Sequence, residues 1–582
     1  MKETRKKNDI TEIEKIRHSL SHILAQAVLN LYPNTKLGIG PAIENGYYYD
    51  FEFAEPVTED ILPQIEEEMR KIIDKDLSFK QINKSREETI EFLKEQQQTY
   101  KLDLIEDIPD EKFSFYLTGD NEFIDLCRGP HIESTGKVNA FKLTQIAGAY
   151  WKGNSENKML TRIYGLAFQS KKELKNYQKM MEEAAKRDHR KLGKDLDLFS
   201  FHEDGPGFVF WHDRGFKVRN QLIEYWRKLH RREGYEEIKT PTMLSIDIWK
   251  KSGHIDTFLD KMFLATPYGA DKMEYAIKPM NCDGGMLVYK TQQKSYRDLP
   301  IKMGEIGTVH RYEGSGELHG LMRVREATQD DAHIYCRESQ IKEELMGVMK
   351  LCNEIYESFD LEINHIELST RPEKSIGSDE IWGKAESTMK EVLKEEKIDY
   401  DINEGDGAFY GPKFDFHLKD CIGRTWQCST IQLDFAQPEN FDLTYINEQG
   451  EKERPVMIHR TIYGSLERFM GIIIENYAGK FPLWLAPEQI SIIPIAERHL
   501  EYAEEIVKKL RKKGMNTIMN YEDETMQSRI RDSEIMKIPY ALVVGDKEEE
   551  TQTVSVRPVG QKELGIMKLE EFIKILKEEI GK

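Results

Sequence analysis

The chain has 582 residues and a formal charge of −19: enough length for several domains, and a balance too acidic for general affinity to a phosphate backbone, although net charge says nothing about local basic patches. The opening MKETRKKNDITEIEK lacks the apolar stretch of a secretory signal, and no apolar run approaches the roughly 18 residues of a membrane span. Six cysteines (Cys127, Cys282, Cys336, Cys352, Cys421 and Cys428) are dispersed along the chain, which predicts a cytoplasmic protein with thiols or metal ligands rather than a disulfide framework.

In chain order, residues 12–31 predict an amphipathic helix from Ile13, Ile16, Leu20, Ile23, Leu24, Ala27 and Val28. A Gly/Pro-rich turn and the strand YYYDFEF follow. A charged helix and mixed α/β segments continue to about residue 168. Residues 171–195 are lysine-rich with helical spacing and little apolar periodicity, which predicts a linker helix. The largest unit, 196–482, alternates strands and helices with glycine-dense turns such as EGSGELHG. After FPLWLAPEQ, residues 483–582 alternate ISIIPI, a helix over 498–513, NTIMN, a helix near 525–535, YALVVG, TVSVRP and a helix over 568–579. That βα alternation predicts a compact α/β domain.

Three clusters carry chemistry. His18 and His22 are four apart on one helix face, and Cys127 and His131 repeat that spacing in CRGPH, with Asp125 just before. A lone HxxxH on an apolar helix is more often structural. Two such pairs point to a pocket that holds a metal or orients a water for hydrolysis. In HRYEGSGELHGLMRVREATQDDAHIY, Arg311-x-Glu313 on a strand leads through a glycine-rich loop to a second strand with Arg323 and Arg325. Guanidinium pairs match polyphosphate oxygens; a hairpin with a solvated charged face is the alternative. HRTIYGSLERFMG, read as a helix, has Gly464 and Ser465 in its middle and Arg468 near one end.

These residues carry a resemblance. Arg311-x-Glu313 with its loop, and the GSLER segment, look like motifs 2 and 3 of class II aminoacyl-tRNA synthetases; residues 215–244, a long helix and a strand ending at Pro241, resemble motif 1. More narrowly, HSLSHILAQAV, CRGPH, GAYWKG, KPMNC, TQDDAHIYC, GAFYGPKFDFHLKD, TWQCSTIQLDF and VMIHRTIYGSLERF run in the order of the threonyl-tRNA synthetase family over nearly the whole chain.

The resemblance implies an α+β multidomain protein: an α+β editing domain (1–170), a linker helix (171–195), a class II antiparallel catalytic domain (196–482) and an α/β anticodon-binding domain (483–582). It implies an enzyme that joins L-threonine to tRNA(Thr) with ATP and hydrolyses seryl-tRNA made in error. One Zn²⁺ per subunit would be held by Cys282, His333 and His459, and Mg²⁺ would accompany ATP. Arg311, Glu313, Arg323 and Arg468 would bind ATP. Asp331, Gln329, Tyr410, Lys413 and Gln432 would bind threonine, and His254 would serve the transfer step. His18, His22, Lys101, Asp125, Cys127 and His131 would form the editing pocket, without metal. Glu548 and Arg557 would meet the anticodon, with the linker helix and RIR (529–531) supplying phosphate contacts. A homodimer is implied by motif 1.

The sequence departs from the family pattern in four ways. The small N-terminal TGS domain is missing, which predicts weaker tRNA binding. Asp283 and Gly285 stand beside Cys282 where Pro and His are usual. Ala327 stands where a large side chain stacks on adenine. Met526 replaces a glycine near the anticodon site. The altered NCDGG and Ala327 keep open an editing-only seryl-tRNA deacylase; a non-catalytic RNA-binding regulator is a third reading, which predicts loss of Arg311, Arg468 or a zinc ligand, and none is lost.

Overall fold

The computed structural model describes residues 10–154, 156–269, 274–420 and 423–581; Cys421 lies outside them. The chain divides into two units, Met1–Glu182 and Glu183–Lys582. Among the described residues no helix is long and apolar enough to cross a membrane.

The first unit opens with α1 (Glu12–Leu31), whose start is fixed by a reciprocal Thr11–Glu14 capping box. Leu20, Ile23, Leu24, Ala27 and Val28 are fully buried, and burying each larger side chain is worth about 1.5–3 kcal/mol. They pack with α2 (Leu62–Asp74) on a five-stranded sheet whose three longer strands, β1 (Gly46–Glu52), β5 (Ala140–Tyr150) and β6 (Met159–Phe168), are ordered β1-β6-β5. A second antiparallel sheet joins β2 (Phe79–Ser85), β3 (Lys112–Thr118) and β4 (Phe123–Leu126), with α3 (Thr99–Glu106) between β2 and β3 in the chain.

The stretch expected to be one linker helix is two, α4 (Lys171–Arg187) and α5 (His189–Asp195). Asp188 breaks it: its backbone is non-helical and its carboxylate accepts from Arg190 N–H, starting a new helix.

The second unit is built on an eight-stranded sheet. Its strands are β7 (Glu236–Glu237), β8 (Ile301–His310), β9 (Glu326–Cys336), β10 (Glu362–Ser369), β11 (Asp401–Asn403), β12 (Lys413–Lys419), β13 (Thr425–Asp434) and β14 (Val456–Thr461). Their order is β7-β8-β9-β14-β13-β12-β10-β11, with antiparallel pairing except at the two edges. One face buries the main apolar core against α6 (Asp213–Arg232), α8 (Ile341–Glu357), α9 (Asp379–Glu395) and α10 (Leu466–Asn476). The other face carries polar residues at alternate positions, as a two-residue period requires. α7 (Cys282–Tyr289) follows α6 in the chain.

The remainder is a five-stranded mixed sheet ordered β16-β15-β17-β18-β19: β15 (Ile490–Pro494), β16 (Thr517–Met519), β17 (Tyr540–Val544), β18 (Thr553–Pro558) and β19 (Gly565–Lys568). Helices α11 (Leu500–Lys512), α12 (Met526–Ile535), α13 (Asp546–Thr551) and α14 (Leu569–Ile580) lie between and after its strands. α13 and β19 were not foreseen: DKEEET has no apolar spacing to betray a helix.

Candidate functional site

Strand register explains how distant residues meet. Across the polar face of the large sheet one line of directly paired positions runs Met303, His333, His459, Gln432, Lys413, Ser369. The expected metal and threonine residues from four separate motifs therefore fall on one row. Above it is a cavity of about 610 Å³, lined by Cys282, Arg311, Glu313, Arg323, Gln329, Asp331, His333, Tyr410, Lys413, Gln432, His459 and Arg468. His254 does not line it; it is fully buried behind the Phe409 ring, 5.1 Å between centroids.

Each expected metal ligand has its own carboxylate neighbour. His459 Nε2 pairs with Asp434 at 2.9 Å, so its remaining lone pair is on Nδ1. His333 Nε2 is 3.7 Å from Asp331 and, buried, has no hydrogen-bond partner among the described residues. The Cys282 thiol donates to Asp283 at 3.4 Å. It lies with His254 and Asp283 in a group whose ligand atoms are within 4.8 Å of one another; Cys282, His333 and His459 together are not such a group. The unusual Asp283 thus holds the thiol that was expected to turn toward the two imidazoles. Burial pushes the Asp283 carboxyl up to about 7 and the His254 imidazole down to about 3. At Gly285 an added Cβ would sit 3.5 Å from His333 Nδ1, so the glycine leaves room there. His459, with Asp434 behind its Nε2, and the orphaned His333 Nε2 are donors of the kind a zinc ion takes, while the Cys282 thiol is held by Asp283 and not gathered with them.

The phosphate side differs from expectation in detail. Arg311 and Glu313 follow the end of β8 rather than lying on it, and Arg323 and Arg325 precede β9. Arg325 does not form a clamp: it is buried, spans the carbonyls of Glu313 and Pro206 at 3.0 and 3.3 Å, and covers the Tyr312 ring. Arg323 is exposed, 3.4 Å from Glu317. Arg311 donates to Pro279 O at 3.1 Å and lies over Phe258, an aromatic ring that reaches the cavity Ala327 also lines. Glu313 is paired with Lys261 at 3.1 Å. The 459–471 segment is not one helix. It ends β14, turns at Gly464, and enters α10 behind the cap Ser465, which accepts from Arg468 N–H. Gly464 has φ +78°, and a Cβ there would approach Cys428 O to 2.5 Å. Arg468 donates to Met322 O and Gln427 O, both at 3.1 Å.

Several residues were missed. Asp330 accepts from the N–H groups of Ile462 and Gly464 at 3.0 Å each, fixing the turn before α10; burial pushes its carboxyl up to about 7. Asn281 donates to Asp331 at 3.2 Å, whose carboxyl burial pushes up to about 6. Asp415 holds Lys413 at 2.6 Å. His189 bridges Glu475 (2.7 Å) and Leu321 N–H (3.0 Å), tying α5 to α10 and the turn before β9. The DD doublet in TQDDAH was a signal for Asp330; the others depend on tertiary approach.

The first unit gathers all six residues expected of the second pocket. Cys127 Sγ is 3.2 Å from His18 Nε2 and 3.3 Å from His131 Nε2. Ser19 holds His131 Nδ1 at 3.0 Å, and His18 Nδ1 meets Pro130 O at 3.3 Å. Asp125 is buried between Lys101 Nζ (2.8 Å), Tyr49 OH (2.5 Å) and His22 Nε2 (3.9 Å). The CRGPH turn needs its glycine: Gly129 has φ +67°, and a Cβ would strike Tyr116 OH at 2.3 Å. Burial lowers His18, His22 and His131 below the usual imidazole range. The ligand atoms of His18, His22, Cys127 and His131 lie within 4.8 Å of one another.

In the last domain Glu548 and Arg557 are not brought together. Glu548 turns back to accept from Gly545 N–H at 3.1 Å. Arg557 lines a small hollow with Ile530, Ala541 and Glu563. Of the RIR pair, Arg529 is buried on Pro494 O at 2.7 Å, which leaves Arg531 as the exposed one. Met526 opens α12 behind the cap Thr525.

Comparison with known proteins agrees with this layout. The tRNA synthetase class II core domain (G, H, P, S and T) matches residues 268–477. The anticodon binding domain matches 489–579, and the threonyl and alanyl tRNA synthetase second additional domain matches 113–164. A threonine–tRNA ligase of Acetivibrio thermocellus is 55% identical over 97% of this chain and 88% of its own length, and one of Carboxydothermus hydrogenoformans is 54% identical over the same shares. The crystal structure of the RNA binding domain of threonyl-tRNA synthetase from Cryptosporidium parvum Iowa II superposes with TM-score 0.65 at 38% identity, covering 67% of this chain and 98% of that one. The chain belongs to the threonine–tRNA ligase family of class II aminoacyl-tRNA synthetases.

Proposed function

We propose that this chain activates L-threonine with ATP, transfers it to tRNA(Thr), and hydrolyses seryl-tRNA(Thr) at a second site. The observation that carries the synthetic reading is the row of paired strand positions that joins His333, His459, Gln432 and Lys413 beneath Arg311 and Arg468 in one cavity. Arg311 binds the ATP α-phosphate and the threonine carboxylate, and Arg323 and Arg468 hold the β- and γ-phosphates of Mg-ATP. Glu313 faces the adenine end. The threonine carboxylate oxygen attacks the α-phosphorus in line; the bond to the β-phosphate oxygen breaks and pyrophosphate leaves. Fixed guanidinium groups lower this barrier by charge stabilisation and positioning. In transfer, a terminal ribose hydroxyl attacks the adenylate carbonyl and AMP leaves, with neutral His254, buried behind the Phe409 ring, assigned a positioning part in this step.

Cys282, His333 and His459 would hold a zinc ion. Bound there, it supplies a Lewis-acid position for the amino group and hydroxyl of threonine. Asp331, Gln329, Tyr410, Lys413 and Gln432 orient the rest of the amino acid. A site built for a hydroxyl rejects valine strongly, whereas serine lacks only a methyl, worth about 1–3 kcal/mol. Hydrolysis of the serine ester is therefore assigned to the Cys127 pocket, which works without metal: its thiol is already engaged by two imidazoles, and the Lys101–Asp125 pair fixes the polar wall.

We assign residues 1–170 to editing, 171–195 to the linker, 196–482 to synthesis and 483–582 to anticodon recognition, where Glu548 and Arg557 are the candidate contacts. Two copies pair through the motif 1 surface, supported by the open groove of Ile223, Arg227, Glu237 and Thr308. Threonine-dependent ATP–pyrophosphate exchange tests the reading. Exchange with threonine and serine but little with valine is expected. No exchange from folded, zinc-loaded protein would overturn it and favour the editing-only alternative.

A further inference from the structure

Beyond the threonine row, the same polar sheet face carries a second cluster. His365 on β10 and His417 on β12 are directly paired across the antiparallel strands. Their rings stack with centroids 4.3 Å apart and 9° between planes. Glu367, two residues along β10 and so on the same face, reaches both: Oε1 is 3.2 Å from His365 Nε2 and Oε2 is 3.4 Å from His417 Nε2. His417 Nε2 is buried and makes no hydrogen bond of acceptable geometry among the described residues. The three ligand atoms lie within 4.8 Å of one another.

The backbone is adjusted around this cluster. The β10–β12 ladder shifts register between Ile363 and His365, and the β12–β13 ladder shifts between Asp415 and His417. A register shift of this kind re-aims side chains and raises local twist, and both shifts end on a histidine of the pair. Outer partners hold the groups from behind: Asn364 Nδ2 meets His365 Nδ1 at 2.9 Å, and Asn403 donates to Glu367 Oε2 at 3.0 Å.

We propose that His365, Glu367 and His417 form a binding site for a first-row transition-metal dication, with zinc the best match. Two imidazole nitrogens and one carboxylate are a donor set zinc favours, and they leave one position for water. Magnesium and calcium prefer all-oxygen sites. The Asn364 amide is free to turn its oxygen toward His365 Nδ1–H, orienting that ring for metal through Nε2. The ion would tie β10 to β12 two residues from Asp415, outside the synthetic cavity.

The test uses the full-length chain, the double variant His365→Gln/His417→Gln, and Glu367→Gln. Each is dialysed against micromolar zinc and its metal content measured. Every other zinc site is common to all three, so the difference reports this cluster. The wild type is expected to hold one equivalent more than the double variant, with Glu367→Gln between them at limiting zinc. A parallel readout needs no variant: zinc is expected to protect His365 and His417 of the wild type from diethyl pyrocarbonate, scored by peptide mass spectrometry. Equal metal content in wild type and a folded double variant would overturn the proposal. So would modification of both histidines at the same rate with and without zinc, which decides the matter even if the double variant does not fold.

Discussion

The Cys127 and Cys282 pockets use the same residue types to opposite ends. Around Cys127 the thiol meets His18 and His131, and the one carboxylate, Asp125, is engaged by Lys101 and Tyr49, while His22 Nδ1 is left without a hydrogen-bond partner among the described residues. Around Cys282 the rings are turned to separate carboxylates, Asp434 behind His459 and Asp331 beside His333, and one ring nitrogen is left without a partner. His459 is backed by a carboxylate as a metal-bound imidazole is, whereas His18 and His131 close on a thiol as neutral hydrogen-bonding groups. Composition alone does not separate the two pockets; the partners behind the rings do.

The largest effect that would sharpen this contrast is expected from Asp125→Ala. It leaves the buried Lys101 ammonium uncompensated, which costs about 3–5 kcal/mol. Thermal unfolding of the N-terminal unit should drop accordingly and seryl-tRNA deacylation should vanish, while threonine-dependent exchange persists. Arg311→Ala should do the reverse, lowering exchange by roughly 10²–10³-fold and sparing deacylation. Asp434→Asn removes the carboxylate behind His459 and should weaken zinc binding roughly 10–100-fold in a chelator competition, with no change in deacylation. The smallest effect is on pH. Because burial holds His18, His22 and His131 below the usual imidazole range, the unfolded chain binds more protons than the folded one as pH falls below about 6.5. Their contribution to stability is present above that pH and is lost progressively below it. His22→Gln should flatten the fall; an unchanged slope would break the account of a neutral pocket.

Much of this was legible in the sequence because local signals and motif order agree. α1 carries its cap, its apolar stripe and both histidines in twenty residues, and the KPMNC, DDAHIY and IHRTI motifs named the cavity residues. What was hidden is tertiary. Nothing local separates Arg323 from Arg325 in RVR, yet one is exposed and the other spans the carbonyls of Glu313 and Pro206. Asp330 and Asp331 are neighbours, but β-strand alternation sends one to the turn before α10 and the other to the cavity. Asp283 was noticed as unusual, but its hold on the Cys282 thiol appears only once α7 is folded. The His365–His417 pair depends on strand register that no short-range pattern encodes.

One measurement tests the central contrast most directly: the effect of a zinc chelator on both activities of a single preparation. The account predicts that threonine-dependent ATP–pyrophosphate exchange is lost and recovered on adding zinc, while seryl-tRNA deacylation continues throughout. Loss of deacylation in step with exchange, also restored by zinc, would contradict it and make the Cys127 pocket a metal site as well.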